Sequence, residues 1–126
     1  MTDEKKKILV VEDDIFISDI YQVKFTQEGF EVAIAVNGLE ALKILDNFRP
    51  DIILLDIIMP QMDGIETLKK IKNNDKWKNI PIIMLTNISE KEKVEESEEM
   101  GVNDYLVKSQ FTPSEVVGKV NALLNR

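Results

Sequence analysis

Apolar residues along this chain fall in short continuous runs that alternate with segments of helical spacing. Ile8-Leu9-Val10-Val11 is a β-branched run, too short for a helix and of the kind covered on both faces of a sheet. From Ile15 to Glu28, apolar residues at 16, 17, 20, 21, 23 and 25 read as one helical stripe, with Gly29 as its C-cap. Phe30 to Val36 alternates as a second strand. Asn37 can cap a helix from Gly38 to about Asp46 that carries Leu39, Leu42 and Leu45 on one face. Pro50 breaks the chain before Asp51-Ile52-Ile53-Leu54-Leu55-Asp56, the third strand. A loop from Ile57 to Met62 holds Pro60, and a helix from about Gly64 shows Ile65, Leu68 and Ile71. Pro81 to Thr86 is a fourth strand, with proline tolerated at its start. Ser89 and Glu92 have the spacing of a capping box and open a charged helix to Met100, stopped by Gly101. Tyr105-Leu106-Val107 marks the fifth strand. Thr112-Pro113-Ser114-Glu115 then combines an N-cap, a first-turn proline and an N3 glutamate ahead of the last helix.

Five strand–helix units in this order, without repeats or low-complexity tracts, predict an α/β fold. It is a doubly wound, five-stranded parallel sheet with right-handed crossovers and helices on both faces. The 126 residues fit one domain spanning 1–126, and 44% apolar residues supply its core. The chain has no cysteine and no histidine, so its chemistry must run on carboxylates, hydroxyls and amines. A net charge of −7 argues against general affinity for nucleic acid or anionic membranes. Lys5, Lys6 and Lys7 read as a solvated lead-in to the first strand. The longest apolar runs are far too short for a bilayer, and no signal peptide is visible, so a cytoplasmic location is expected.

In sheets of this type ligands gather outside the carboxyl ends of the strands. Strand one ends in Glu12-Asp13-Asp14, strand three in Asp56 and strand four in Thr86, and strand five is followed by Lys108. Carboxylates held together repel one another and call for a cation. Mg²⁺ fits, because it binds through a few carboxylates, waters and a phosphate. Asp56 is the central carboxylate and the candidate nucleophile, with Thr86 and Lys108 placed to bind phosphoryl oxygens. Asp14 is expected to act only as a helix N-cap or first-turn residue.

Over essentially its whole length the sequence resembles the receiver domains of two-component response regulators. The resemblance rests on Ile8 to Asp14, on Asp51 to Asp56 followed by Met59-Pro60-Gln61-Met62-Asp63-Gly64, on Leu85-Thr86, and on Asp104 to Lys108. It implies a flavodoxin-like strand order 2-1-3-4-5. It further implies that Asp56 accepts phosphate from the phosphohistidine of a sensor kinase or phosphotransfer protein. Glu12, Asp13, Asp56 and the backbone carbonyl of Ile58 would hold Mg²⁺, Thr86 and Lys108 would grip the phosphoryl group, and Tyr105 would swing inward on activation. The added charge would bias a switch element comprising the loop after strand four, the fourth helix and strand five. An output partner is expected at the fourth helix, fifth strand and fifth helix, with no direct contact to nucleic acid or membrane. The domain itself would be a monomer or a weak phosphorylation-dependent dimer. The chain is expected to be either a stand-alone regulator or the front of a longer one.

Four positions depart from the family pattern. Ser109 stands where relatives usually have a proline joined by a cis peptide. A non-proline cis bond costs about 2.5–4 kcal/mol, so the bond is either cis with strain or trans with a shifted loop. Cis is favoured because Lys108 must point inward. Asn87 replaces the small residue usual after Thr86, and either narrows access or hydrogen-bonds the phosphate. Ile58 and Ile88 occupy positions that modulate hydrolysis in the family, and isoleucine cannot orient water, so a long-lived phosphorylated state is expected.

Other functions fit less well. A Mg²⁺-dependent phosphohydrolase needs an acid/base carboxylate at the position of Ile58 and a cap domain that 126 residues do not allow. A flavin-binding domain needs a glycine- and hydroxyl-rich phosphate loop where Glu12-Asp13-Asp14 stand. A docking module that no longer takes phosphate is opposed by intact Asp56, Thr86 and Lys108.

Overall fold

The structure, a computed structural model, describes residues 5–57, 59, 62–86 and 91–125, without the side chains of residues 91–93. Its elements are β1 (Lys7–Val11), α1 (Ile15–Gln27), β2 (Glu31–Ala35), α2 (Gly38–Leu45), β3 (Ile52–Asp56) and α3 (Gly64–Lys72). They continue with β4 (Ile82–Thr86), α4 (Lys91–Glu99), β5 (Asp104–Val107), a 3₁₀ turn at Lys108–Gln110 and α5 (Pro113–Leu123). All pairings in the five-stranded sheet are parallel and the order is β2-β1-β3-β4-β5. This is the doubly wound architecture and the strand order expected from the sequence.

The continuous apolar runs are explained by cover on both sides of the sheet. Leu9, Val11, Ile53, Leu55, Ile82 and Met84 face one layer, where Leu45, Leu68 and Ile71 of α2 and α3 pack on them. Ile8, Val10, Ile52, Leu54, Ile83 and Leu85 face the other, against Tyr21 and Phe25 of α1 and Val116, Val117 and Val120 of α5. Successive strand residues alternate between the two layers, so a strand buried on both faces has no polar position to spare.

The helix ends follow local side-chain chemistry. Asp14 Oδ1 accepts from the amides of Phe16 (2.9 Å) and Ile17 (3.3 Å), so it is the N-cap of α1. Asn37 Oδ1 accepts from the Glu40 amide at 2.8 Å. The capping box of α5 is complete: Thr112 Oγ1 accepts from the Glu115 amide at 3.2 Å, and Glu115 Oε1 from the Thr112 amide at 2.9 Å. These bonds favour ionised Glu115 and lower its pKa. Gly29 has φ 89°, a backbone state that costs glycine least, and it lets the chain reverse from α1 into β2. The Ser89–Glu92 box lies outside the described residues and side chains.

The single apolar stripe expected for α1 is not observed. Ser18, Tyr21 and Phe25 are buried, whereas Phe16 is 83% and Val23 55% exposed. At 100° per residue, positions 16, 20 and 23 point away from 18, 21 and 25. The helix therefore carries two apolar faces, and only one meets the sheet. Among the described residues, no helix is long and apolar enough to cross a membrane.

Candidate phosphoacceptor site

β1 and β3 are neighbours, with Val11 in register with Leu55, so the residues after Val11 and Leu55 emerge together at one sheet edge. Glu12 is held there by its amide, which donates to Ala35 O at 2.9 Å and extends the β1–β2 ladder. Its Oε2 accepts from the Asp14 amide at 3.2 Å. Asp56, the last residue of β3, is fixed by the residue after it, because the Ile57 amide donates to Leu85 O at 3.0 Å. The Gly64 amide then donates back to Ile57 O at 2.6 Å. A Cβ at Gly64 would lie 2.1 Å from Asp56 O, so only glycine lets α3 start this close to the strand end.

Lys108 enters from the far edge of the sheet. Its Nζ lies 2.8 Å from Asp56 Oδ2, with hydrogen-bond geometry, and 3.0 Å from Glu12 Oε1. The second contact is an ion pair only, since buried Glu12 Oε1 has no hydrogen-bond partner among the described residues. The Lys108–Ser109 peptide is trans, as are all peptides among the described residues, which overturns the cis expectation. Without a proline ring the trans form is favoured by several kcal/mol, and the 3₁₀ turn at Lys108–Gln110 already turns the lysine inward.

Burial dominates the electrostatics. Desolvation, followed by the charge of Asp56, raises the Glu12 pKa to about 7 against the opposing pull of Lys108. Asp56 is also raised, by burial first, with Lys108 again opposing. Burial pulls the Lys108 pKa down, but the hydrogen bond and charge of Asp56, with the attraction of Glu12, outweigh it and leave the ammonium protonated. Exposed Asp13 completes the group: Glu12, Asp13 and Asp56 each offer a carboxylate oxygen, all within 4.8 Å of one another. An acid trio with two buried members sharing a single ammonium fits a hard divalent ion bound through oxygen.

The remaining candidates separate. Thr86 is buried at the end of β4, in register with Val107 beside Lys108. Tyr105 is 39% exposed on β5, and a hydrogen bond to Glu98 raises its pKa. Ile58, Asn87 and Ile88 lie outside the described residues. Sequence reasoning missed Tyr21, which reads along the chain as one more stripe residue. It is 6% exposed, and its pKa is raised by burial and by the charges of Glu12 and Asp56, with Lys108 opposing. A large amphipathic ring on the face that also carries Ser18 and Phe25 was the available signal.

An acidic trio and a lysine thus converge at the carboxyl edge of an order-2-1-3-4-5 sheet, where ligands of such folds bind. The response regulator receiver domain family matches residues 8–121, and the chain belongs to that family. It is 39% identical over 121 residues to the alkaline phosphatase synthesis transcriptional regulatory protein PhoP of Bacillus subtilis, covering 96% of this chain and 49% of PhoP. The chain thus spans about half the length of the curated relatives it matches. Chemotaxis response regulator CheY4 of Vibrio cholerae superimposes with TM-score 0.86 at 33% identity, covering 94% of this chain and 98% of CheY4. The Mn²⁺-bound form of response regulator Rcp1 gives TM-score 0.81 at 34% identity, covering 93% and 92%. This chain is accordingly a receiver domain of two-component signal transduction rather than a conventional enzyme.

Proposed function

We propose that Asp56 is the phosphoacceptor and that Glu12, Asp13, Asp56 and the backbone carbonyl of Ile58 hold Mg²⁺ beside it. The observation that carries this reading is the convergence of three carboxylates within 4.8 Å with Lys108 Nζ 2.8 Å from Asp56. A carboxylate oxygen of Asp56 attacks the phosphorus of a phosphohistidine on a sensor kinase or phosphotransfer protein. The O–P bond forms as the N–P bond breaks, and the imidazole leaves with its electron pair. Lys108 and Thr86 receive charge developing on the phosphoryl oxygens. Bound Mg²⁺ would supply further neutralisation of that charge. Supporting the acceptor role, burial keeps Asp56 out of bulk water while its partner lysine orients it.

The phosphorylated domain then acts on an output partner through α4, β5 and α5, with Tyr105 changing from its exposed position. The receiver works in the cytoplasm, and its −7 charge favours a protein partner over nucleic acid for this domain. It assists its own phosphotransfer and its own dephosphorylation. The test is intact mass after incubation with acetyl phosphate and Mg²⁺. One phosphoryl group on the wild type and none on Asp56→Asn is the expected result; equal labelling of both would remove Asp56 from the role.

A further inference from the structure

Lys108 leaves the sheet at β5, the edge strand, and must reach Asp56 on β3 with β4 in between. Two strand spacings are about 9–10 Å, so the four-carbon stem has to run extended across the end of β4. A free lysine stem samples many rotamers, and holding it in one conformation costs entropy. The side chain is nonetheless only 22% exposed, so its surroundings restrict it.

Lys108 lines a cleft of about 150 Å³ together with Ile17, Ile20, Tyr21, Phe111 and Pro113. Of these, Ile20 is 46% exposed, whereas Tyr21 is 6% exposed and anchored in the core. Its ring lies 6.3 Å from that of Phe25, which meets Phe30 edge-on at 5.2 Å. This aromatic series gives the cleft one wall that cannot move without disturbing the core.

We infer that Tyr21 is a positioning residue for Lys108: its ring forms the rigid wall of the cleft along which the lysine stem reaches Asp56. The inference rests on the phosphoacceptor reading above, because it matters only if Lys108 serves phosphotransfer. The ring carries the effect, since it is the ring that continues into the aromatic series of Phe25 and Phe30.

Two quantities separate positioning from plain structure: the rate of phosphorylation by acetyl phosphate and the Mg²⁺ dissociation constant by calorimetry. Tyr21→Leu keeps an apolar side chain but removes the planar wall, so phosphorylation slows by about fivefold or more. Mg²⁺ affinity should hold within twofold or tighten, because a loosened Lys108 competes less for Glu12 and Asp56. Tyr21→Phe, which keeps the ring, should restore the rate to within twofold of wild type.

A Tyr21→Leu rate within twofold of wild type would overturn the inference. So would a parallel loss of rate and Mg²⁺ affinity, or a Tyr21→Phe variant as slow as Tyr21→Leu. Should Tyr21→Leu not fold, judged by its thermal melt, Tyr21→Met gives the same comparison with a more adaptable side chain. Failure of the acceptor reading is distinct, since the wild type itself would then label independently of Asp56.

Discussion

Lys108 Nζ sits 2.8 Å from Asp56 Oδ2 and 3.0 Å from Glu12 Oε1, at the place where a divalent cation would neutralise the same acids. Lysine and a bound cation would therefore share ligands. Replacing Lys108 by Met leaves two buried carboxylates without their organic cation. Breaking fully buried pairs costs about 3–5 kcal/mol; Lys108 is partly exposed and the acids can take up a proton, so a loss of about 1–3 kcal/mol is expected without metal. Phosphorylation should fall by about 100-fold, as for loss of one transition-state donor, while Mg²⁺ binds more tightly. Urea melts, acetyl phosphate labelling and calorimetry check the three outcomes.

Glu12 ties stability to pH. Its folded pKa, about 7, lies above the ordinary 4.5, so its contribution is fully present below 4.5 and is lost as pH rises through 7. Raised Asp56 acts in the same direction. Lys108, also raised, keeps its contribution throughout this window and loses it only above its ordinary 10.5. Glu12→Gln should therefore flatten the decline between pH 5 and pH 8 and exceed the wild type at pH 8 by roughly 2–3 kcal/mol. Mg²⁺ should stabilise the wild type strongly at pH 8 and little at pH 5. Denaturant melts at both pH values, with and without Mg²⁺, measure this; a wild type whose stability rises across that range relative to Glu12→Gln would contradict it.

Two glycines should respond oppositely to alanine. A Cβ at Gly64 meets the backbone of Asp56 and Ile57 at 2.1 and 2.7 Å, so Gly64→Ala must push α3 off the strand end. A loss of about 2–3 kcal/mol is expected, with slower phosphorylation because Asp56 moves too. At Gly118, inside α5, an added methyl group would meet nothing within 4 Å, and Gly118→Ala should gain about 0.5–1 kcal/mol from helix propensity. Thermal melts of the two variants give the comparison.

Ile58 and Ile88 present no group able to orient an attacking water, so the phosphorylated domain should decay slowly. Its decay can be followed by intact mass after removing acetyl phosphate. A half-life of seconds, unchanged in Ile88→Asn, would defeat the expectation.

Much of this was legible along the chain because it depends on nearest neighbours. The strands β1, β3 and β4 announce themselves as unbroken apolar runs, since both faces of each are covered. Asp14, Asn37 and the Thr112–Glu115 pair cap helices through bonds spanning two or three residues. Asp63, which caps α3 through the Glu66 amide at 2.9 Å, obeys the same rule, although along the chain it stands out only as part of a motif. Glu12, Asp13, Asp56, Thr86 and Lys108 could be assembled because strand ends in a parallel sheet necessarily share an edge.

Sequence alone thus determined the order of elements, their caps and which side chains reach the carboxyl edge, all matters of local periodicity and backbone hydrogen bonding. Tertiary structure alone decided which face of α1 is buried, that Lys108 pairs with both Asp56 and Glu12 across a trans peptide, and that Tyr21 stands beside that lysine. Those outcomes depend on how elements distant in the chain pack together, and on the low-dielectric surroundings that packing creates around the acids. No spacing along a single strand or helix encodes them.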